Sequence, residues 1–203
     1  APYPFGHIGP KFVPNMTGTC RDRTDFGMYL LRALGIPCAI DFILGCDLAN
    51  AGHFWLTAWD QNGRDCKTEF PGSFVYTCKD DWYNNDDAVK VYRSTFSVNR
   101  ELYNEMAELT LDLYPFWKLP KFKDVTYSYA RYYMGQLRIP SSKIDKDKAK
   151  GKIAYLCITD RDRWVPVDWT EYDANKLEFR DIRKGAVLRV GTYEKGKLSF
   201  ITD

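Results

Sequence analysis

Residues 20–34 spell out one amphipathic helix with both ends fixed, and any fold of this chain has to be built around it. Asp22 and Asp25 fall in the first turn, where acidic side chains suit the positive end of the helix dipole. Phe26, Tyr29, Leu30, Ala33 and Leu34 follow at helical spacing, which predicts the face turned to the core. Gly35 is placed to cap the C-terminus, and Pro37 prevents the helix from continuing. The helix opens on a cysteine, Cys20. The field at a helix N-terminus favours thiolate over thiol, and thiolate is the nucleophilic form. Asp22 and Asp25 oppose that effect. Most free cysteines are buried and inert, so a nucleophile is inferred only if a partner can be found.

Composition narrows the choices. The 203 residues are 45% hydrophobic and 28% charged, an ordinary globular balance with room for one large domain or two small ones. A formal net charge of +2 gives no electrostatic case for nucleic acid as a partner. No apolar run is long enough to span a bilayer. Cys20, Cys38, Cys46, Cys66, Cys78 and Cys157 form no CxxC pair and no His-rich knot, so neither a metal nor a cofactor is expected. The chain starts at Ala1 rather than Met, which reads as a processed or trimmed product and keeps export open.

Residues 1–19 are rich in proline and glycine and read as an irregular arm. After the helix, residues 38–44 and 53–59 read as strands. Asp60-Gln61-Asn62-Gly63 reads as a hairpin turn, and residues 64–70 as the return strand. Residues 71–88 read as loop, 89–93 as one more strand, and 101–113 as a helix with Leu102, Met106, Leu109 and Leu113 on one face. Pro115 and Pro120 then break the pattern, and a domain boundary is expected there, dividing the chain into 1–115 and 116–203. Beyond it the hydrophobic period changes from 3.6 to 2. Strands are expected at 125–139, 153–159, 164–169, 176–179, 186–193 and 197–201, the spacing of a small antiparallel β-sandwich or barrel. The fold class expected is α+β.

The chain has two histidines, His7 and His53. His7 lies in the irregular arm. His53 opens the second strand after the helix, where a histidine on a sheet can meet a cysteine at a helix N-terminus. An imidazolium there keeps the thiolate ionised and can then protonate a leaving amine. The bland alternative is a half-buried strand histidine bonded to a carbonyl. A third residue should orient His53. If residues 61–63 form a three-residue loop, Asp60 pairs with Arg64 and Trp55 lies opposite Glu69. His53, Trp55 and Glu69 then share one face, with Glu69 within diagonal reach of His53. A two-residue loop would slip the register by one and put Thr68 on that face instead. Asp60 and Asp65, near the turn, are expected to be solvated.

Gly18-Thr19-Cys20, the run Arg32-Ala33-Leu34-Gly35-Ile36-Pro37 and the later His53-Phe54-Trp55 together resemble the transglutaminase-like domain of bacterial secreted proteins. The resemblance covers roughly residues 15–100, and the β-rich remainder is similar to the sandwich often joined to such domains. It implies a papain-like core, with a helix carrying cysteine packed on a sheet carrying histidine and an acid. It places the nucleophile on Cys20, the base on His53 and the acid on Glu69, where the family usually has Asp. The function implied is thiol-dependent acyl transfer on amide bonds through a Cys20 thioester. Water as acceptor makes the enzyme a peptidase or amidase, the outcome the bacterial members favour; an amine makes it a transglutaminase. The substrate implied is a peptide or protein amide, with cell-wall peptide or glycan among the candidates. The location implied is secreted, periplasmic or cell-surface. The alternative is an inactive module of the same fold that binds peptide or glycan.

Overall fold

The computed structural model describes residues 18–45, 52–68, 75–76, 88–108, 113–118, 120–130, 134–145, 147, 153–160, 162–172 and 176–202. His7, Cys46, Glu69 and Cys78, and the expected loop at 71–88 apart from residues 75–76 and 88, lie outside the described residues. The architecture is mixed α+β, with antiparallel sheets and few helices.

Helix α1 spans Cys20–Ala33. Its start is a reciprocal capping box: the Asp22 N–H donates to Thr19 Oγ1, and Asp22 accepts from the Thr19 backbone N–H and hydroxyl. Its end is a Schellman turn. Gly35, at φ +74°, donates to the Arg32 carbonyl, and Ile36 donates to the Leu31 carbonyl. The helix and its ends are as the sequence predicts, but the buried face is not. Tyr29 is 52% exposed and Leu34 67% exposed. The side facing the sheet carries Thr24, Gly27, Met28 and Leu31, itself an i, i+3, i+4, i+7 stripe. Gly27 has no side chain to hold the sheet away, and Thr24 Oγ1 meets the Cys20 carbonyl at 2.7 Å and the Phe54 carbonyl at 3.1 Å. The helix is thereby pinned to the sheet at its N-terminal end.

The sheet under α1 is built from β1 (Cys38–Phe42), β2 (Phe54–Trp59), β3 (Asp65–Thr68), β4 (Val75–Tyr76), β5 (Tyr92–Ser94) and β6 (Phe122–Asp124). The order is β4-β3-β2-β1-β5-β6, all antiparallel. Cys38, Ile40, Leu56 and Ala58 face α1. The β2–β3 turn takes the three-residue form. Asp60 N–H donates to the Arg64 carbonyl, Gly63 sits at φ +73°, and Trp59 lies opposite Asp65. The Asp60 carboxylate is not simply solvated: it accepts from the Asn62 and Arg64 backbone N–H groups and from the Arg64 guanidinium. That ladder runs to Leu56 opposite Thr68, and the step beyond it, Glu69, lies outside the described residues.

Helix α2 (Arg100–Glu108) and a single turn at Pro115–Lys118 cover the aromatic end of this sheet. The expected strand at 125–139 is a correction: helix α3 (Thr126–Ala130) occupies its first part, and only β7 (Met134–Pro140) is extended. Asp124 causes the break, since its carboxylate accepts from the Thr126 N–H and hydroxyl and turns the chain into α3. The aromatic residues of 125–129 favour strand locally, and tertiary contacts override that preference.

The remaining strands are β8 (Ile153–Asp160), β9 (Arg163–Glu171), β10 (Lys176–Arg183), β11 (Leu188–Glu194) and β12 (Lys197–Phe200). They form a four-stranded sheet, β12-β11-β8-β9, and a pair, β10-β7. Strand β8 is buried on both faces. Ala154, Leu156 and Ile158 join Leu177, Phe179 and Val190 in one core, while Ile153, Tyr155 and Cys157 join Phe42, Tyr92, Trp117 and Phe122 in another. Residues from both sides of Pro115–Pro120 therefore share a core, and β6, from beyond the expected boundary, forms an edge of the first sheet.

Candidate active site

Cys20 is the first residue of α1, and His53 immediately precedes β2. The pinning of α1 onto the Phe54 carbonyl brings the two together, close enough for His53 to favour the Cys20 thiolate. Half burial pushes the Cys20 thiol up. The hydrogen bond with His53, the Phe54 backbone N–H, the charge of His53 and the Arg21 backbone N–H together outweigh burial and leave the thiol below its ordinary pKa. The acidic side chains expected to work against the thiolate are engaged elsewhere, and only Asp22 lies in the first turn. Asp22 closes the capping box, and Asp25 is held by Arg21 at 2.9 Å. Arg21 also lies 4.9 Å above the Phe54 ring.

The position of His53 is set where β2 returns antiparallel beside β1. Ile43 and His53 exchange backbone hydrogen bonds of 3.0 and 3.2 Å. Gly52 passes so close to this pair that a Cβ there would lie 2.3 Å from the Ile43 carbonyl oxygen. The His53 ring lies against Trp55, with centroids 5.8 Å apart and planes tilted by 31°. Of the predicted site residues, the structure thus brings Cys20 and His53 together; Glu69 lies outside the described residues.

Under Trp55 is a network that sequence reasoning missed. Trp55 Nε1–H donates to the Tyr129 hydroxyl at 2.9 Å, and that hydroxyl donates to Asp41. Thr57 Oγ1 also donates to Asp41, at 2.7 Å, and Arg93 grips the same carboxylate with two bonds of 2.7 Å. The Lys67 ammonium sits 3.5 Å from the centre of the Tyr129 ring and 5.4 Å from that of Trp55. Burial, and then the Asp41 charge, push the Tyr129 phenol well above its ordinary pKa, so it stays a donor. One signal was available: a lone acid, Asp41, inside an otherwise apolar strand, which requires a buried cation.

The other described cysteines are buried thiols. Cys157 is pushed up to about 12 by burial, against a small opposing effect of Arg189. No cluster suited to a metal ion occurs among the described residues. Comparison of the chain with protein-family models, with curated proteins and with solved structures found no match.

Proposed function

We propose that the protein is a thiol acyl-transfer catalyst of transglutaminase-like, papain-like type, acting on the amide bond of a peptide or protein. The single observation that supports this is the placing of Cys20, first residue of α1, beside His53 at the start of β2, where His53 helps hold the thiol below its ordinary pKa. In this reading the Cys20 thiolate attacks the amide carbonyl carbon. The carbonyl π electrons move to oxygen, close to the first-turn N–H of Cys20, which no intrahelical carbonyl can reach. Collapse of the tetrahedral species breaks the C–N bond, and the His53 imidazolium gives its proton to the departing amine. Water or an amine then attacks the thioester, with His53 taking its proton, and the Cys20 thiolate is released. Glu69 is assigned to accept the second ring N–H of His53 and hold its tautomer. The exported location follows from the same family reading.

The test is alkylation with substoichiometric iodoacetamide across pH, with the modified cysteine located by mass spectrometry. Cys20 should be modified first, and well below the ordinary thiol pKa of about 8.5. Cys157 should stay unmodified until the protein unfolds. Modification of Cys20 only in the ordinary thiol range would overturn the proposal.

A further inference from the structure

We propose that Tyr129 is a positioning residue for the Cys20–His53 pair: its hydroxyl, anchored on Asp41, fixes the Trp55 indole against which the His53 ring lies. This rests on the reading of Cys20 and His53 as nucleophile and base. The direction of every bond in the chain is determined by chemistry. An indole N–H can only donate and a carboxylate can only accept, so the Tyr129 oxygen receives Trp55 and its proton points to Asp41. Asp41 is wholly buried and cannot turn away, because the Arg93 fork holds both its oxygens. Tyr129 itself is held edge-on to Trp55, with centroids 5.7 Å apart and planes at 75°. Trp55, 2% exposed, is therefore fixed at its ring and at its nitrogen.

A histidine that serves as base needs one ring orientation, and a rigid wall on one side removes the competing ones. Without the Tyr129 hydroxyl, the buried indole N–H loses this bond and the indole is no longer held in one orientation by it. The His53 ring then follows its wall and leaves Cys20. Among the described residues, the charged groups around the pair include Arg21, Asp22 and Asp25 on α1, and Asp41, Lys67 and Arg93 on the strands below. None of these is removed by substitution of Tyr129 with phenylalanine, so the variant isolates the hydroxyl. Tyr129 belongs to α3, so the site draws on chain beyond Pro115–Pro120.

The experiment is the pH profile of Cys20 alkylation by iodoacetamide in the full chain, for wild type, Tyr129→Phe, Trp55→Phe and Tyr92→Phe. Tyr92 is the control. Its buried hydroxyl donates to the Val167 carbonyl at 2.6 Å, so its loss also removes a buried hydrogen bond, but one made to β9 and not to the Trp55–Asp41 network. Tyr129→Phe and Trp55→Phe should each slow alkylation near pH 6.5 by about threefold or more while leaving the rate near pH 10 unchanged, a rise of about half a unit in the thiol. Tyr92→Phe should lower thermal stability without moving the profile. If Tyr129→Phe does not fold, Trp55→Phe, which keeps an aromatic ring and leaves Tyr129 on Asp41, reads the same step. Unchanged profiles in both site variants, or an equal shift in Tyr92→Phe, would overturn the inference while the wild-type profile still supports the nucleophile. A wild-type profile at the ordinary thiol pKa would instead overturn the Cys20–His53 reading, and this inference with it.

Discussion

Asp41 and Cys20 show two ways in which a burial cost is met at a single residue. Cys20 is half-buried, and its one histidine and two backbone N–H groups suffice to outweigh that burial. Asp41 is wholly buried and takes hydrogen bonds from Arg93, Tyr129 and Thr57. Removing one member of such a set leaves a charge in the interior without its partner, which costs more than the pair contributes when intact. Asp41→Ala should therefore lower stability by about 3–5 kcal/mol, because it strands the Arg93 guanidinium. Urea unfolding of wild type and variant at neutral pH measures this, and a loss under about 1 kcal/mol would mean that Arg93 finds water instead.

Among the elements, the start of β2, where it returns beside the end of β1, carries a tight constraint on the site. Gly52→Ala would put a methyl group 2.3 Å from the Ile43 oxygen, a backbone atom that cannot step aside alone. The Ile43–His53 backbone pair would have to open. The expected cost is about 1–3 kcal/mol, together with loss of early Cys20 alkylation. Urea unfolding and the alkylation rate near pH 6.5 would register the two effects separately. How much of these elements was legible in the sequence depended on how local their causes are. The C-terminal end of α1 was legible, because the stop at Gly35 and Pro37 is settled within a few residues; the Thr19 capping box became clear only in the fold. So was the Asp60–Arg64 register, because Gly63 supplies the left-handed residue that the loop requires. The buried face of α1 was not, because Thr24, Gly27, Met28 and Leu31 make a less apolar stripe than Phe26, Tyr29, Leu30 and Leu34 until the contacts with the sheet are known. Nor was α3, whose tyrosines favour strand in isolation. In the site, Cys20 and His53 could be singled out because only two histidines were available. The Asp41–Arg93–Tyr129 set could not, because its members come from β1, β5 and α3 and only the folded sheet brings them together.

At the scale of the molecule, Lys90 ties the layers together. Its ammonium meets Asp124 at 2.7 Å, Asp168 at 3.2 Å and the Arg180 carbonyl at 2.9 Å, joining β6, β9 and β10. Burial pushes the Asp168 carboxyl up, Lys90 pulls it down and Asp124 pushes it up again, leaving it at about 6. An acid whose folded pKa is raised contributes stability that is full below its unfolded value and is lost as pH rises through the folded one. Wild type should therefore lose stability relative to Asp168→Asn between about pH 4 and pH 7, by up to roughly 2–3 kcal/mol. Urea unfolding of both proteins at several pH values in that window tests it, and a difference that stays constant with pH would refute it. The sheet order has a further consequence, for synthesis. The chain leaves the ribosome from its N-terminal end, so α1 and β1–β3 emerge long before β6 and α3. Asp41 then waits for Tyr129, and the first sheet waits for an edge strand that lies beyond α2. On that schedule Cys20 and His53 leave the ribosome well before Tyr129, so the residue proposed to position them reaches Asp41 only after both have been translated.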